Sequence, residues 1–117
     1  MYREFIVPSD QEIIEQLGEW PEVEEESGAR ALALRGSKGE SVLFSYDTLG
    51  RSVRVRWRNA EGEQVLDLFR ESATRMTVYA DNVSRRIILD FDMGECGGRM
   101  EISILPMVAI KDHLIFT

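Results

Sequence analysis

The stretch from Ser52 to Arg58, SVRVRWR, alternates without a break, with Val53, Val55 and Trp57 on one side of an extended chain and Arg54, Arg56 and Arg58 on the other. Strict period-two alternation predicts a β-strand with one dry face and one wet face. Once this pleat is set, the segments on either side can be registered against it.

Upstream, Val42, Phe44 and Tyr46 alternate before the turn residues Asp47-Thr48-Leu49-Gly50. Downstream, a turn around Glu61-Gly62 puts Trp57 opposite Leu66, Val55 opposite Leu68 and Arg56 opposite Asp67. Apolar then meets apolar and charge meets countercharge, whereas a slip by one residue breaks both. The same logic sets a strand near Thr74 to Ala80 with Leu68 facing Met76 and Leu66 facing Val78. Beyond the turn Asp81-Asn82-Val83-Ser84, Ile87, Leu89 and Phe91 extend the dry face. The glycine-rich Gly94-Glu95-Cys96-Gly97-Gly98 then reads as a flexible connection, before Met100, Ile102 and Ile104 continue the alternation to Pro106. The apolar tail with Val108, Ile110, Leu114 and Phe116 is expected to dock as an extended segment.

The N-terminal part reads differently. Ser9 followed by Glu12 is a capping-box signature, Ile13, Ile14 and Leu17 form a narrow apolar stripe, and Gly18 supplies a left-handed stop. A helix of about ten residues is marginal alone and must be held by packing. Glu19 to Gly28 is expected to be a loop, because Pro21 blocks a helix and five glutamates repel one another. Ala29 to Leu34 is a first strand, with Leu32 and Leu34 inward. The pattern predicts an α+β fold, an antiparallel β-meander of five or six strands covered on one face by a single N-terminal helix. It forms one domain over residues 1–117, with the acidic helix and loop in 1–28 and the sheet in 29–117.

Charge is distributed unevenly. The net charge of −7 arises entirely within residues 1–30, which carry nine carboxylates against Arg3 and Arg30, while the remainder holds twelve charges of each sign. An acidic cap on a neutral body argues against nucleic-acid binding. No segment approaches the roughly 18 apolar residues that span a bilayer, and the charged amino terminus lacks the apolar run of a secretory signal, so the expected location is the cytoplasm, away from membranes. The single cysteine, Cys96, agrees with a reducing compartment.

Chemical motifs are sparse. His113 is the only histidine, and its neighbour Asp112 points the other way in an extended chain. One cysteine and one histidine do not close a zinc site, and Asp90 with Asp92 falls short of the oxygen count a hard cation needs. No catalytic residue, metal or cofactor is therefore assigned. Two features point to binding. One is an outer sheet face carrying Arg54, Arg56, Arg58 and Arg75 with Asp67, Phe69 and Tyr79, a mixture of the residue types that supply interface hot spots. The other is the acidic loop, where Trp20 lies beside Glu24 and Glu25. The expected function is a non-enzymatic protein-binding domain, and within that class an immunity-type inhibitor of a basic enzyme or toxin. Two alternatives remain open: capture of a small anionic ligand, with or without catalysis, by the arginine face, and a homodimer built on it.

Overall fold

A computed structural model describes residues 4–116; Arg3, counted in the N-terminal charge, lies outside them. The helix α1 spans Asp10–Leu17. It is followed by nine strands: β1 Glu22–Val23, β2 Arg30–Arg35, β3 Ser41–Asp47, β4 Ser52–Arg58, β5 Gln64–Arg70, β6 Ala73–Ala80, β7 Arg85–Asp92, β8 Cys96–Leu105 and β9 Ala109–Phe116. All strand pairs are antiparallel and sequential, as a meander requires, but they form two sheets, of order β1-β2-β3-β4-β5 and β6-β7-β8-β9.

The helix begins and ends where its caps dictate. Ser9 Oγ accepts the Glu12 amide at 3.1 Å, and Gly18, at φ +78°, donates its amide to the Ile14 carbonyl. Eight residues gain little stability from their own hydrogen bonds, so docking holds them. Ile13 and Leu17 are fully buried against β6 and β7. Gln16 Oε1 accepts the Ala80 amide, Arg85 Nη1 donates to the Leu17 carbonyl, and Arg30 pairs with Asp10 at 2.9 Å.

The alternation of β4 holds. Val53 and Val55 are buried, as are Val42, Phe44 and Tyr46 across the β3–β4 ladder, and Trp57 on the same side is half-buried against the core. Trp57 faces Leu66, Val55 faces Leu68 and Arg56 faces Asp67, as the pairing argument requires. The turn that delivers this register is longer than two residues. Asn59 donates its amide to the Glu63 carbonyl and pairing resumes at Arg58–Gln64, so the ladder shifts between Trp57 and Arg58 and leaves Val65 without a partner. A longer loop and a bulge compensate each other, which is why a simpler turn leads to the same pairs.

The expected pairing of β5 with β6 does not occur. The chain turns out of the first sheet at Ser72, which takes a left-handed φ of +69°, and β6 opens the second sheet, with its Ala73 amide donating to the Arg51 carbonyl. Leu68 and Met76 therefore enter the core from different sheets. The physical reason is burial: one sheet and an eight-residue helix leave much of a nine-strand dry face in water, whereas two sheets cover each other. Leu32, Leu34, Phe44 and Val55 from one sheet, Met76, Ile87, Leu89, Met100 and Ile102 from the other, and Ile13 and Leu17 from the helix form one hydrophobic cluster.

Two loops also differ from expectation. The acidic segment contains the two-residue strand β1, paired to β2 through Glu22–Ala31 and Val23–Arg30. Gly97 and Gly98 belong to β8 rather than to a connection. Gly98 is needed there because a Cβ would stand 3.1 Å from the His113 carbonyl and 3.3 Å from Arg70 Nη2. The tail docks as β9 on β8.

Arg70 joins the two sheets. It ends β5 on the inward side, opposite Val53, donates to the Asp112 carboxylate on β9, and sets its guanidinium 4.4 Å from the Phe91 ring centroid on β7. Its partner Asp112 is exposed, so Arg70→Ala is expected to lower stability by about 1 kcal/mol, through lost packing and ring contact as well as the ion pair. In a denaturant double-mutant cycle, Asp112→Ala is expected to be markedly less than additive with it.

Tyr46 carries a pH dependence. Burial and the nearby Asp10 charge push its phenol up to about 12 against the opposing effect of Arg30. Because the folded-state value lies above the ordinary 10, its contribution to stability is complete below pH 10 and is lost as pH rises toward 12. Denaturation midpoints are expected to fall over that window, and to fall less steeply in Tyr46→Phe.

Candidate functional site

The outward residues of the first sheet line up in rungs. One rung reads Arg35–Ser41–Arg58, the next Ala33–Leu43–Arg56–Asp67, and the third Glu22–Ala31–Ser45–Arg54–Phe69. Ala31, Ala33, Ser41 and Ser45 on β2 and β3 thus keep much of the floor low, with long arginines on β4 standing beside it. Two hollows result, of about 470 Å³ beside Arg35, Arg58 and Glu19, and about 200 Å³ beside Glu24, Ser45 and Phe69. Arg56 borders both.

The three β4 arginines are not equivalent. Arg54 takes Asp67 in a two-point pair, Nε to Oδ1 at 2.9 Å and Nη2 to Oδ2 at 2.7 Å. The pair is diagonal, because the residue directly across from Asp67 is Arg56. Both oxygens of Asp67 are thereby engaged by the neighbour. Arg58 donates from Nη1 to the Gly62 carbonyl at 3.0 Å. Arg56 is left half-buried, with its Nε shielded from solvent and without a hydrogen-bond acceptor. Such a donor is uncommon, since buried polar groups are nearly always paired.

The acidic segment borders the same face. Because β1 pairs with β2, Glu24 is drawn over the sheet, where its Oε1 accepts from Ser45 Oγ at 3.4 Å. Its charge, after Asp67's, also helps to hold the Arg54 guanidinium protonated. Glu25 is exposed in the adjoining turn, and Trp20 is 52% exposed just before β1. The acidic loop and the arginine face are therefore one continuous surface.

Not every expected residue joins it. Arg54, Arg56, Arg58, Asp67 and Phe69 share the outer face of the first sheet, bordered by Glu24 and Glu25. Arg75 and Tyr79 lie on β6, in the other sheet, whose outer face is turned away from the common core. There Arg86 pairs with Glu101 at 2.8 Å and Arg99 with Asp90 at 2.9 Å, and the Arg86 guanidinium lies 4.7 Å from the Tyr79 ring centroid, with its Nε shielded and unpaired as that of Arg56 is. Exposed pairs of this kind contribute about 0–1 kcal/mol each and describe a solvated surface. Sequence reasoning missed Arg35, Ser41, Leu43 and Ser45 as parts of the site. The signal was present in β3: if Val42, Phe44 and Tyr46 face inward, Leu43 and Ser45 must face the arginines.

The ion pair on this face has a titratable signature. Hydrogen bonds from Arg54 hold the Asp67 carboxyl below the usual carboxylate range against a smaller opposing effect of desolvation, with the charges of Arg54 and Arg56 adding to the depression. Carbon-detected NMR titration of Arg54→Ala is expected to show the Asp67 pKa rising yet staying depressed, because Arg56 stands directly across. A full return to the ordinary value contradicts this geometry.

No family model matches the chain, and no curated protein matches it significantly. Among solved structures, it resembles a chain of the contact-dependent growth inhibition toxin–immunity protein complex from Klebsiella pneumoniae 342, with a TM-score of 0.80 over 98% of this chain and 100% of that chain, at 20% sequence identity. At that identity the likeness is one of fold, the N-terminal helix with its two antiparallel sheets.

Proposed function

We propose that this chain is the immunity-type member of a toxin–inhibitor pair, a non-enzymatic protein that binds a basic enzyme through the outer face of its first sheet and the acidic border. The likeness of its fold to a chain of a toxin–immunity protein complex supports a protein partner. The charge pattern favours the inhibitor's role over the toxin's. An enzyme acting on nucleic acid must present cations to phosphates, and a chain of net charge −7 complements such a surface rather than resembling it.

The observation that carries the reading is the placement of Glu24. A run of glutamates on a free loop would be a solvated tail; here β1 pins it beside a face that also bears half-exposed Phe69, and Trp20 is exposed in the segment just before β1. An aromatic anchor beside a charged margin is what a protein interface requires, since the margin speeds encounter and the anchor supplies affinity. On this reading the encounter takes place in the cytoplasm, as expected from the sequence.

The test uses the protein encoded beside this one. Mixed in purified form, the two are expected to form a one-to-one complex in which the partner's enzymatic activity is lost; absence of any complex defeats the proposal. Glu24→Lys combined with Glu25→Lys is expected to slow association on the order of tenfold at low salt. By stopped-flow the difference should shrink once screening exceeds that at about 0.15 M salt.

A further inference from the structure

We infer that the hollow between Arg35, Arg56 and Arg58 is a receptor for one carboxylate side chain, an aspartate or glutamate of the protein partner. The inference rests on the proposed function and adds to it the point at which the complex is held in register. Arg35 and Arg58 stand across from the same residue, Ser41, one on each side. Two strand spacings, about 10 Å, separate their backbones. Only the small Ser41 stands between them on that rung, with Ala33 and Leu43 flooring the next. Among the described residues, Glu19 is the one acid lining this space, against three arginines.

Arg56 makes the space specific for an acid. Its register partner, Asp67, has both oxygens engaged by Arg54, so the Arg56 Nε remains shielded and unpaired beside a hollow of about 470 Å³. Once the side chain turns its shielded Nε–H toward the hollow, an incoming carboxylate supplies the two-oxygen acceptor it lacks through paired N–H···O bonds. Solvent shielding strengthens that bond relative to one at the rim. The surrounding pattern suits a predominantly basic partner: its cations meet Glu24 and Glu25 at the border, and a single acid enters the interior of the face. Such an acid contributes specificity, because a partner offering a cation there would be repelled.

The experiment has two arms. In the first, the isolated chain is titrated with N-acetyl-glutamate N-methylamide at constant ionic strength while arginine Nε–H resonances are followed by nitrogen-15 NMR. The Arg56 signal is expected to move saturably, with Arg35 and Arg58 following and Arg54 unmoved, and the glutamine analogue is expected to leave all of them in place. Equal responses to the glutamine analogue, or an Arg56 response no larger than that of Arg99 on the opposite face, overturn the inference.

In the second arm, Arg56→Leu is expected to weaken binding to the cognate partner roughly 30-fold. Arg56→Lys, which keeps the charge but not the fork, is expected to weaken it by several-fold, and both variants should retain the wild-type fold by circular dichroism. Partner binding that is indifferent to both substitutions overturns this inference and leaves the proposed function intact. A saturable shift in a chain that binds no protein overturns both, leaving a site for a free carboxylate.

Discussion

Phe44 and Val55 face each other across the β3–β4 ladder with no exposed surface, and the rest of the molecule follows from keeping that contact dry. In a pleated strand, holding every second residue out of water forces the others to the far side. Burial of Val53 and Val55 therefore puts Arg54, Arg56 and Arg58 outward as a consequence, with no separate interaction required. The inner face of this sheet also has to be covered, which calls for the second sheet and the short helix. The helix docks through Ile13 and Leu17, while Arg70 crosses from β5 to Phe91 and Asp112 at another point where the two layers meet. Site and core are thus two sides of one pleat.

Charge on the two outer faces is handled in different ways, and the difference bears on function. On the second sheet, Arg86 and Arg99 each pair with a carboxylate on the neighbouring strand, although the Arg86 Nε, like the Arg56 Nε, is shielded without an acceptor. On the first sheet, three arginines of β4 face a single acid, Asp67, on β5. The acid pairs with one of them, the carbonyl of Gly62 takes the second, and Arg56 stays without an acceptor for its Nε. What sets the first face apart is the hollow beside Arg56, floored by residues as small as Ala33 and Ser41 and bordered by Arg35 and Arg58. The glutamates drawn in by β1 add charge of the opposite sign at its border.

Much of the local structure was legible in the chain because it rests on short-range chemistry. Ser9 and Gly18 bound the helix as their side-chain and backbone preferences demand, and the Trp57–Leu66 and Arg56–Asp67 pairs follow from matching polarity across a hairpin. The pairing did not extend to the ion pair itself, since Asp67 reaches diagonally to Arg54 instead of across to Arg56. Which of two nearby guanidinium groups takes a carboxylate depends on side-chain reach and on what else each can touch, and strand alternation carries no record of that. Gly98 was misread for a related reason: its role is to admit Arg70 and the His113 carbonyl, neighbours distant in sequence.

By itself the sequence determined the helix with its caps, the strand phases and the concentration of acid near the N-terminus, all of which depend on residues within a few positions of one another. Only the tertiary structure decided that the meander splits at Ser72, and with it that Arg75 and Tyr79 leave the face bearing Arg54 and Phe69. The reason is that both a hairpin and a corner satisfy the local pattern at Glu71-Ser72. The choice between them is made by how much apolar surface the whole chain can remove from water, a quantity summed over nine strands and one helix that no single segment contains.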